Sequence, residues 1–382
     1  MPKIDIPESL LTKYLGQKLT LEKLEKVLPI AKAELDGIDE EHNLLKIELN
    51  DTNRPDLWSV AGLARQLRTY LNGMPSGYDF FSTSSKMNDP GNRRIEVHES
   101  MKEIRPYIAA FAAEGEPVDD QFLKSLIQSQ EKLCTHYGRN RETIAMGIYC
   151  GDRIEYPVRY RGADPEVTCF HPLEAESVMS LQEIIEKNPK GIEYGYIISQ
   201  YDLYPFLEDS QGNCLSFPPI INSNYCGAVS VGDRNLFIEL TGTDMNSILT
   251  ATAIVACDLA DAGYRIQPVQ ISYPYETPYG REIITPYYFQ RECAVNSDDV
   301  CRILGESLSD GEISDSLKRM DHQVRIKDRA VIIDVPPYRN DFMHGVDIIE
   351  EIMIGYGIDH FNPILPEEFT IGRQAADGEF FG

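Results

Sequence analysis

The stretch from Val335 to Gly357 reads VPPYRNDFMHGVDIIEEIMIGYG, and its spacing decides how the end of the chain must fold. Two prolines and a Tyr-Arg-Asn-Asp turn lead into a helical pattern. On a period of 3.6, Asp347, Glu350 and Glu351 share one face, at i, i+3 and i+4. Ile348, Ile349, Ile352 and Met353 fall on the opposite face, which the pattern predicts to be buried. Asp341 precedes the helix and can fold back onto the acidic face. Four carboxylates converging in this way repel one another unless a cation lies between them. Their hard oxygens suit Mg²⁺ or Ca²⁺, and no thiol or imidazole cluster nearby argues for zinc. A solvated acidic face on an amphipathic helix accounts for the same spacing.

Upstream, Ser297 is placed to cap a helix over DDVCRILGES, and GEISDSLKRM predicts a second. QVRI and AVIIDV then read as two strands joined by Lys327-Asp328-Arg329. Two helices followed by a hairpin predict a winged-helix-like module over residues 285–360. Lys318, Arg319, Arg325, Lys327 and Arg329 would suit a nucleic-acid-binding regulator. The acidic residues of DGEISDSLKRM make a poor recognition helix for one.

Residues 1–75 form a first, small α/β unit. Its amphipathic segment LTLEKLEKVLPIAKAEL precedes a strand, LLKIELN, and NDTNRPDLW is a polar turn feeding a helix from about Ser59 to Leu71. Residues 76–94 read as a polar linker. Residues 95–275 form a large central unit of mixed α/β type, so the fold class is multidomain α+β. Within it, Lys132, Arg139 and Arg141 bracket a turn that is either a solvated basic loop or a phosphate or RNA contact. Glu239, Thr241 and Thr243 line one side of a strand, because side chains alternate with a period of 2. One carboxylate and two hydroxyls there either line a polar pocket or form a hydrated sheet face. Asp244 is placed to cap the helix that follows.

At 382 residues, with 42% hydrophobic and 25% charged side chains, the chain has the composition of a soluble globular protein. It contains no apolar run of the ~20 residues that a membrane span needs. The eight cysteines are scattered singly without a CxxC pair, which predicts reduced thiols in the cytoplasm. A net charge of -25 opposes non-specific attraction to nucleic acid, so any RNA contact requires a local basic patch.

Taken in order, NRPDLWSVAGLARQL, IRPYIAAF, LSFPPIIN, FIELTGTD and PPYRNDFMHGVDIIEEIMIGYG resemble the signatures of the phenylalanine–tRNA ligase β-subunit family, in its archaeal and eukaryotic-type form. The resemblance covers nearly the whole chain. It implies an α subunit as partner in an α₂β₂ heterotetramer, tRNA(Phe) as the RNA partner, and ATP-dependent charging by that α subunit. It also implies that Asp341, Asp347, Glu350 and Glu351 hold a Mg²⁺ close to the α subunit. A further implication is proofreading, the hydrolysis of mischarged tyrosyl-tRNA(Phe) in the central unit. On that reading Glu239 and Thr241 meet the phenolic hydroxyl or position water, and Asn222, Ser223 and Thr243 hold the rest of the substrate.

Two departures stand out. Where the family shows a His-Asp pair after the Ile-Gly of its central strand, this chain reads Gly147-Ile148-Tyr149-Cys150, which puts proofreading in question. The chain also stops at FTIGRQAADGEFFG, so residues 361–382 read as the truncated start of a catalytic-like domain. A free-standing binding or trans-editing paralogue that ends naturally at Gly382 is the alternative reading.

Overall fold

Ten strands between Arg94 and Thr285 form one mixed sheet. From one edge to the other run Ile221–Asn222, Cys214–Phe217, Tyr204–Glu208, Val158–Ala163, Arg94–Val97, Arg265–Ser272, Tyr107–Glu114, Asn235–Gly242 and Ile144–Cys150, while Glu282–Thr285 pairs separately with Arg265–Ser272. Arg94–Val97 pairs parallel with both its neighbours, Arg265–Ser272 and Val158–Ala163, and the other pairings of this sheet are antiparallel. The structure, a computed structural model, describes residues 2–73 and 76–361. The expected start of a further domain at 361–382 therefore lies, but for Phe361, outside the described residues, as does Pro75 at the end of the first unit.

Asn235–Gly242 is buried from Leu236 onward, sandwiched in the sheet between Tyr107–Glu114 and Ile144–Cys150. A strand covered on both faces loses the polar alternation that marks a half-exposed one, hence its near-continuous apolar run. The helix Met245–Asp261 follows directly and packs back against Tyr107–Glu114 and Asn235–Gly242. Asp244 caps it as expected, accepting from the Ser247 N–H at 2.7 Å. Two boundaries differ from expectation. The central sheet extends to Thr285, past residue 275. Within the 76–94 segment, expected as a polar linker, Phe81 is buried and Ser82 bridges to Tyr287, so its first part docks on the sheet.

In the first unit, Lys3–Pro7 and Ala33–Asp39 flank Leu44–Leu49 in a three-stranded antiparallel sheet. The amphipathic segment from Leu19 does not stay helical. The helix Leu21–Val27 gives way to a 3₁₀ turn containing Pro29, whose ring cannot continue a helix, and Ala33 begins a strand. Ser59 caps the helix Val60–Asn72 by accepting from the Gly62 N–H at 2.9 Å.

In the third unit, Ala330–Asp334 lies between Glu292–Asn296 and Gln323–Lys327. The helices Ser297–Leu304, Asp310–Arg319 and Gly345–Tyr356 surround a core of Val300, Ile313, Leu317, Val331, Ile333, Ile348, Ile349 and Ile352. The expected order of two helices and then a hairpin is present. Asp328 and Arg329 adopt positive φ of 49° and 66°, as a two-residue hairpin turn requires. Asn296, not Ser297, is the cap, accepting from the Asp298 N–H at 2.8 Å; Ser297 is the first helical residue. Gly355 sits where the last helix crosses Asp310–Arg319: a Cβ there would lie 2.1 Å from the Ser316 carbonyl oxygen, so only glycine permits the approach.

Candidate active site

A cavity of about 370 Å³ opens beside the edge strand Ile144–Cys150, roofed by residues 216–222 of the LSFPPIIN segment and by the helix Asp120–Lys132. Glu239 lies in its wall. The register sets Glu239 directly opposite Gly147, and the period of 2 brings Tyr149, Gly147 and Glu239 to one sheet face. The Tyr149 hydroxyl lies 2.8 Å from Glu239 Oε1 and 2.8 Å from Ser216 Oγ. All three side chains are buried. Glu239 Oε2 is buried as well and has no hydrogen-bond partner. Burial pushes the Glu239 carboxyl up to about 7, against the opposing effects of the Tyr149 hydrogen bond and the Arg105 charge.

The other expected members of the site fall differently. Asn222 lines the cavity, its amide directed at the carbonyls of Ile148 and Gly227 at 3.4 Å. Thr241 shares the sheet face of Glu239 but does not line the cavity. Its hydroxyl accepts from Arg105 Nε at 3.0 Å and its carbonyl from Arg105 Nη2 at 2.6 Å. Ser223 is buried away from the cavity, donating to the Cys214 carbonyl at 2.6 Å. Thr243 lies beyond the end of the strand, exposed, so strand alternation does not carry it into the pocket.

Of the basic loop, Arg141 reaches the cavity wall. It donates to the carbonyls of Pro219 and Ile220 at 3.0 and 2.9 Å, and its guanidinium stacks 4.3 Å from the Tyr194 ring centroid. Arg139, Asn140 and Arg141 all take positive φ, which turns the chain sharply into the edge strand. Sequence reasoning passed over Tyr149 and Ser216 as site residues. The available signal was Gly147 inside an apolar strand, since a strand-interior glycine marks a close approach.

The four carboxylates in and before the last helix already have partners within the chain. Glu351 is buried, not on a solvent-facing acidic surface: its Oε1 accepts from Arg339 Nη2 at 2.9 Å and its Oε2 lies 2.9 Å from His322 Nε2. Asp341 accepts both prongs of the same Arg339 guanidinium, at 2.7 and 2.6 Å. Asp347 is spent on the helix start, accepting from the N–H groups of Met343 and His344 at 2.7 and 2.6 Å. Glu350 points elsewhere and pairs with Lys32 of the first unit at 3.0 Å. Among the described residues no three His, Cys, Asp or Glu side chains are grouped to hold a metal ion. As paired here, these four carboxylates do not fit one Mg²⁺ ligand set: Arg339 and Lys32 pair with Asp341, Glu351 and Glu350, and backbone N–H groups hydrogen-bond Asp347. Arg54, expected only as turn chemistry, is buried beside them, chelating Asp56 at 2.9 and 2.8 Å and lying 3.8 Å from Glu351.

The same architecture recurs in known proteins. Residues 1–73 match the family model described as the Phe-tRNA synthetase beta subunit B1 domain, and residues 293–358 match the tRNA synthetase B5 domain. The structure is similar to an N-terminal fragment of the phenylalanyl-tRNA synthetase β subunit from Pyrococcus horikoshii, with a TM-score of 0.87 and 36% identity, covering 93% of this chain and 100% of that one. Phenylalanine–tRNA ligase β subunits from Borrelia recurrentis and Borrelia turicatae are 45% and 44% identical to it, over 100% of this chain and 67% of theirs. The chain belongs to the phenylalanine–tRNA ligase β-subunit family.

Proposed function

We propose that this chain works as a phenylalanine–tRNA ligase β subunit, in the cytoplasm, alongside an α subunit that charges tRNA(Phe) with phenylalanine using ATP, in an α₂β₂ complex. Its own chemistry is the removal of tyrosine from mischarged tyrosyl-tRNA(Phe). The need for that step is physical. Tyrosine exceeds phenylalanine by one hydroxyl, and an apolar pocket rejects such an addition only by a factor of roughly 10². A site that hydrogen-bonds the hydroxyl can select tyrosine far more sharply, because a bare ring leaves the site's polar group unpaired.

Glu239 in the cavity wall, with its Oε2 buried and unpartnered, carries this reading. A phenolic O–H is the donor that completes it. The apolar side chains of Leu126, Ile127, Met146 and Ile148 suit the ring. Water then adds across the ester: its hydroxyl goes to the tyrosyl carbonyl carbon and its proton to the ribose oxygen. Tyrosine and uncharged tRNA leave. Glu239 selects the substrate, and Thr241, held by Arg105, shapes the strand end rather than touching it.

The test is hydrolysis of preformed tyrosyl-tRNA(Phe) by the α/β complex. Glu239→Ala should slow it by roughly tenfold to a hundredfold, the cost of one lost buried hydrogen bond. A rate equal to that of the wild type would remove Glu239 from the site.

A further inference from the structure

Tyr149 places its hydroxyl on Glu239. We propose that Tyr149 is the specificity-positioning residue of this pocket: it occupies one carboxylate oxygen of Glu239, fixes the group's orientation, and leaves the other oxygen for a phenolic ligand. The inference rests on the proofreading reading above.

The geometry supports it at three points. A lone carboxylate on a strand can rotate about its last torsion and present either oxygen. The contact at 2.8 Å between Tyr149 and Oε1 removes that freedom, so the unpartnered Oε2 stays the acceptor. Tyr149 is in turn held by Ser216. A phenol carries one proton, so with the proton donated to the carboxylate, the Ser216 hydroxyl, 2.8 Å away, donates to the phenol oxygen. Gly147 makes room for the arrangement. A Cβ there would lie 2.1 Å from the Tyr149 oxygen and 2.7 Å from Glu239 Oε1, so any other residue would break the contact.

The protein's own phenol thus shows the chemistry that Glu239 accepts. A second phenol, from a ligand, satisfies the remaining oxygen; a phenyl ring leaves a buried acceptor bare. Tyr149 acts through Glu239 and does not meet the reacting ester. The groups that bear on Glu239 are Tyr149 from the edge strand, Ser216 from Cys214–Phe217, and Arg105, which is anchored on Thr241 ahead of Tyr107–Glu114.

The experiment compares hydrolysis of tyrosyl- and phenylalanyl-tRNA(Phe) by the full α/β complex over about pH 6 to 9, for wild type, Tyr149→Phe, Ser216→Ala and Glu239→Ala. Tyr149→Phe should reduce the preference for tyrosine by roughly tenfold, the effect of losing one hydrogen bond to a charged group. It should also move the acid limb of the profile to higher pH, because that hydrogen bond favours the ionised carboxylate. A purely structural role would not move the limb. Ser216→Ala should shift it in the same direction, which keeps the test open if Tyr149→Phe does not assemble. Wild-type preference and an unmoved limb in both variants, with tyrosyl hydrolysis lost in Glu239→Ala, would overturn the role of Tyr149 alone. Full activity of Glu239→Ala would instead overturn the proofreading reading beneath it.

Discussion

Arg339 Nη2 donates to Glu351 Oε1 at 2.9 Å, inside a cluster in which Arg339, Arg54 and Glu351 are all almost fully buried. Arg54 comes from the first unit and the other two from the third, so the ends of the described chain meet over one desolvated charge set. Arg65 adds a second tie, reaching Asp258 and Asp261 of the central helix at 2.6 and 2.7 Å and stacking 4.5 Å from the Tyr338 ring centroid.

Glu351→Gln should therefore destabilise the chain strongly. Removing one partner of a buried ion pair leaves the others uncompensated, at a cost of about 3–5 kcal/mol. Urea unfolding of the purified chain measures it. A loss below about 1 kcal/mol, the scale of a surface pair, would show that the cluster is hydrated.

The two buried carboxyl sites should respond to pH in opposite directions. The Arg339 charge and His322 hold Glu351 well below the usual carboxylate range, and Arg339 lowers Asp341 too. Stability from that cluster is full above the ordinary carboxyl pKa of about 4 and is lost as pH falls through the depressed folded values. Glu239 is raised to about 7 by burial, so its contribution is full below about 4.5 and is lost as pH rises through 7. Glu239→Gln removes that loss. It should raise stability at pH 8 relative to wild type by up to roughly 3 kcal/mol, and by much less at pH 4. An equal change at both pH values would mean that Glu239 titrates normally.

Adding Mg²⁺ to the chain should leave its melting temperature unchanged, since the four expected ligands are already paired with Arg339, Lys32 and backbone N–H groups. A rise in melting temperature that Asp347→Asn abolishes would show that the carboxylates regroup around the ion.

The fold was readable where chemistry is local. Ser59 and Asp244 announce their helices because a cap needs only its own next turn. The hairpin over Lys327–Ala330 follows from two apolar runs and a tight turn. Glu351 was not readable: i, i+4 spacing groups it with Asp347, but whether that face meets water depends on Arg54, nearly three hundred residues away. Thr243 failed for a simpler reason, since alternation holds only while the strand lasts and the strand ends at Gly242. The pocket was half readable. Glu239 and the PPIIN segment do meet, and Tyr149, whose place in the apolar strand gives no sign of a role, hydrogen-bonds Glu239.

A crystal structure with a non-hydrolysable tyrosyl-adenosine analogue tests the central claim most directly. The phenolic oxygen should lie about 2.5–3.0 Å from Glu239 Oε2, with Tyr149 still on Oε1 and the ring against Met146 and Ile148. An analogue seated with its ring outside this cavity, or with its hydroxyl turned away from Glu239, would contradict it.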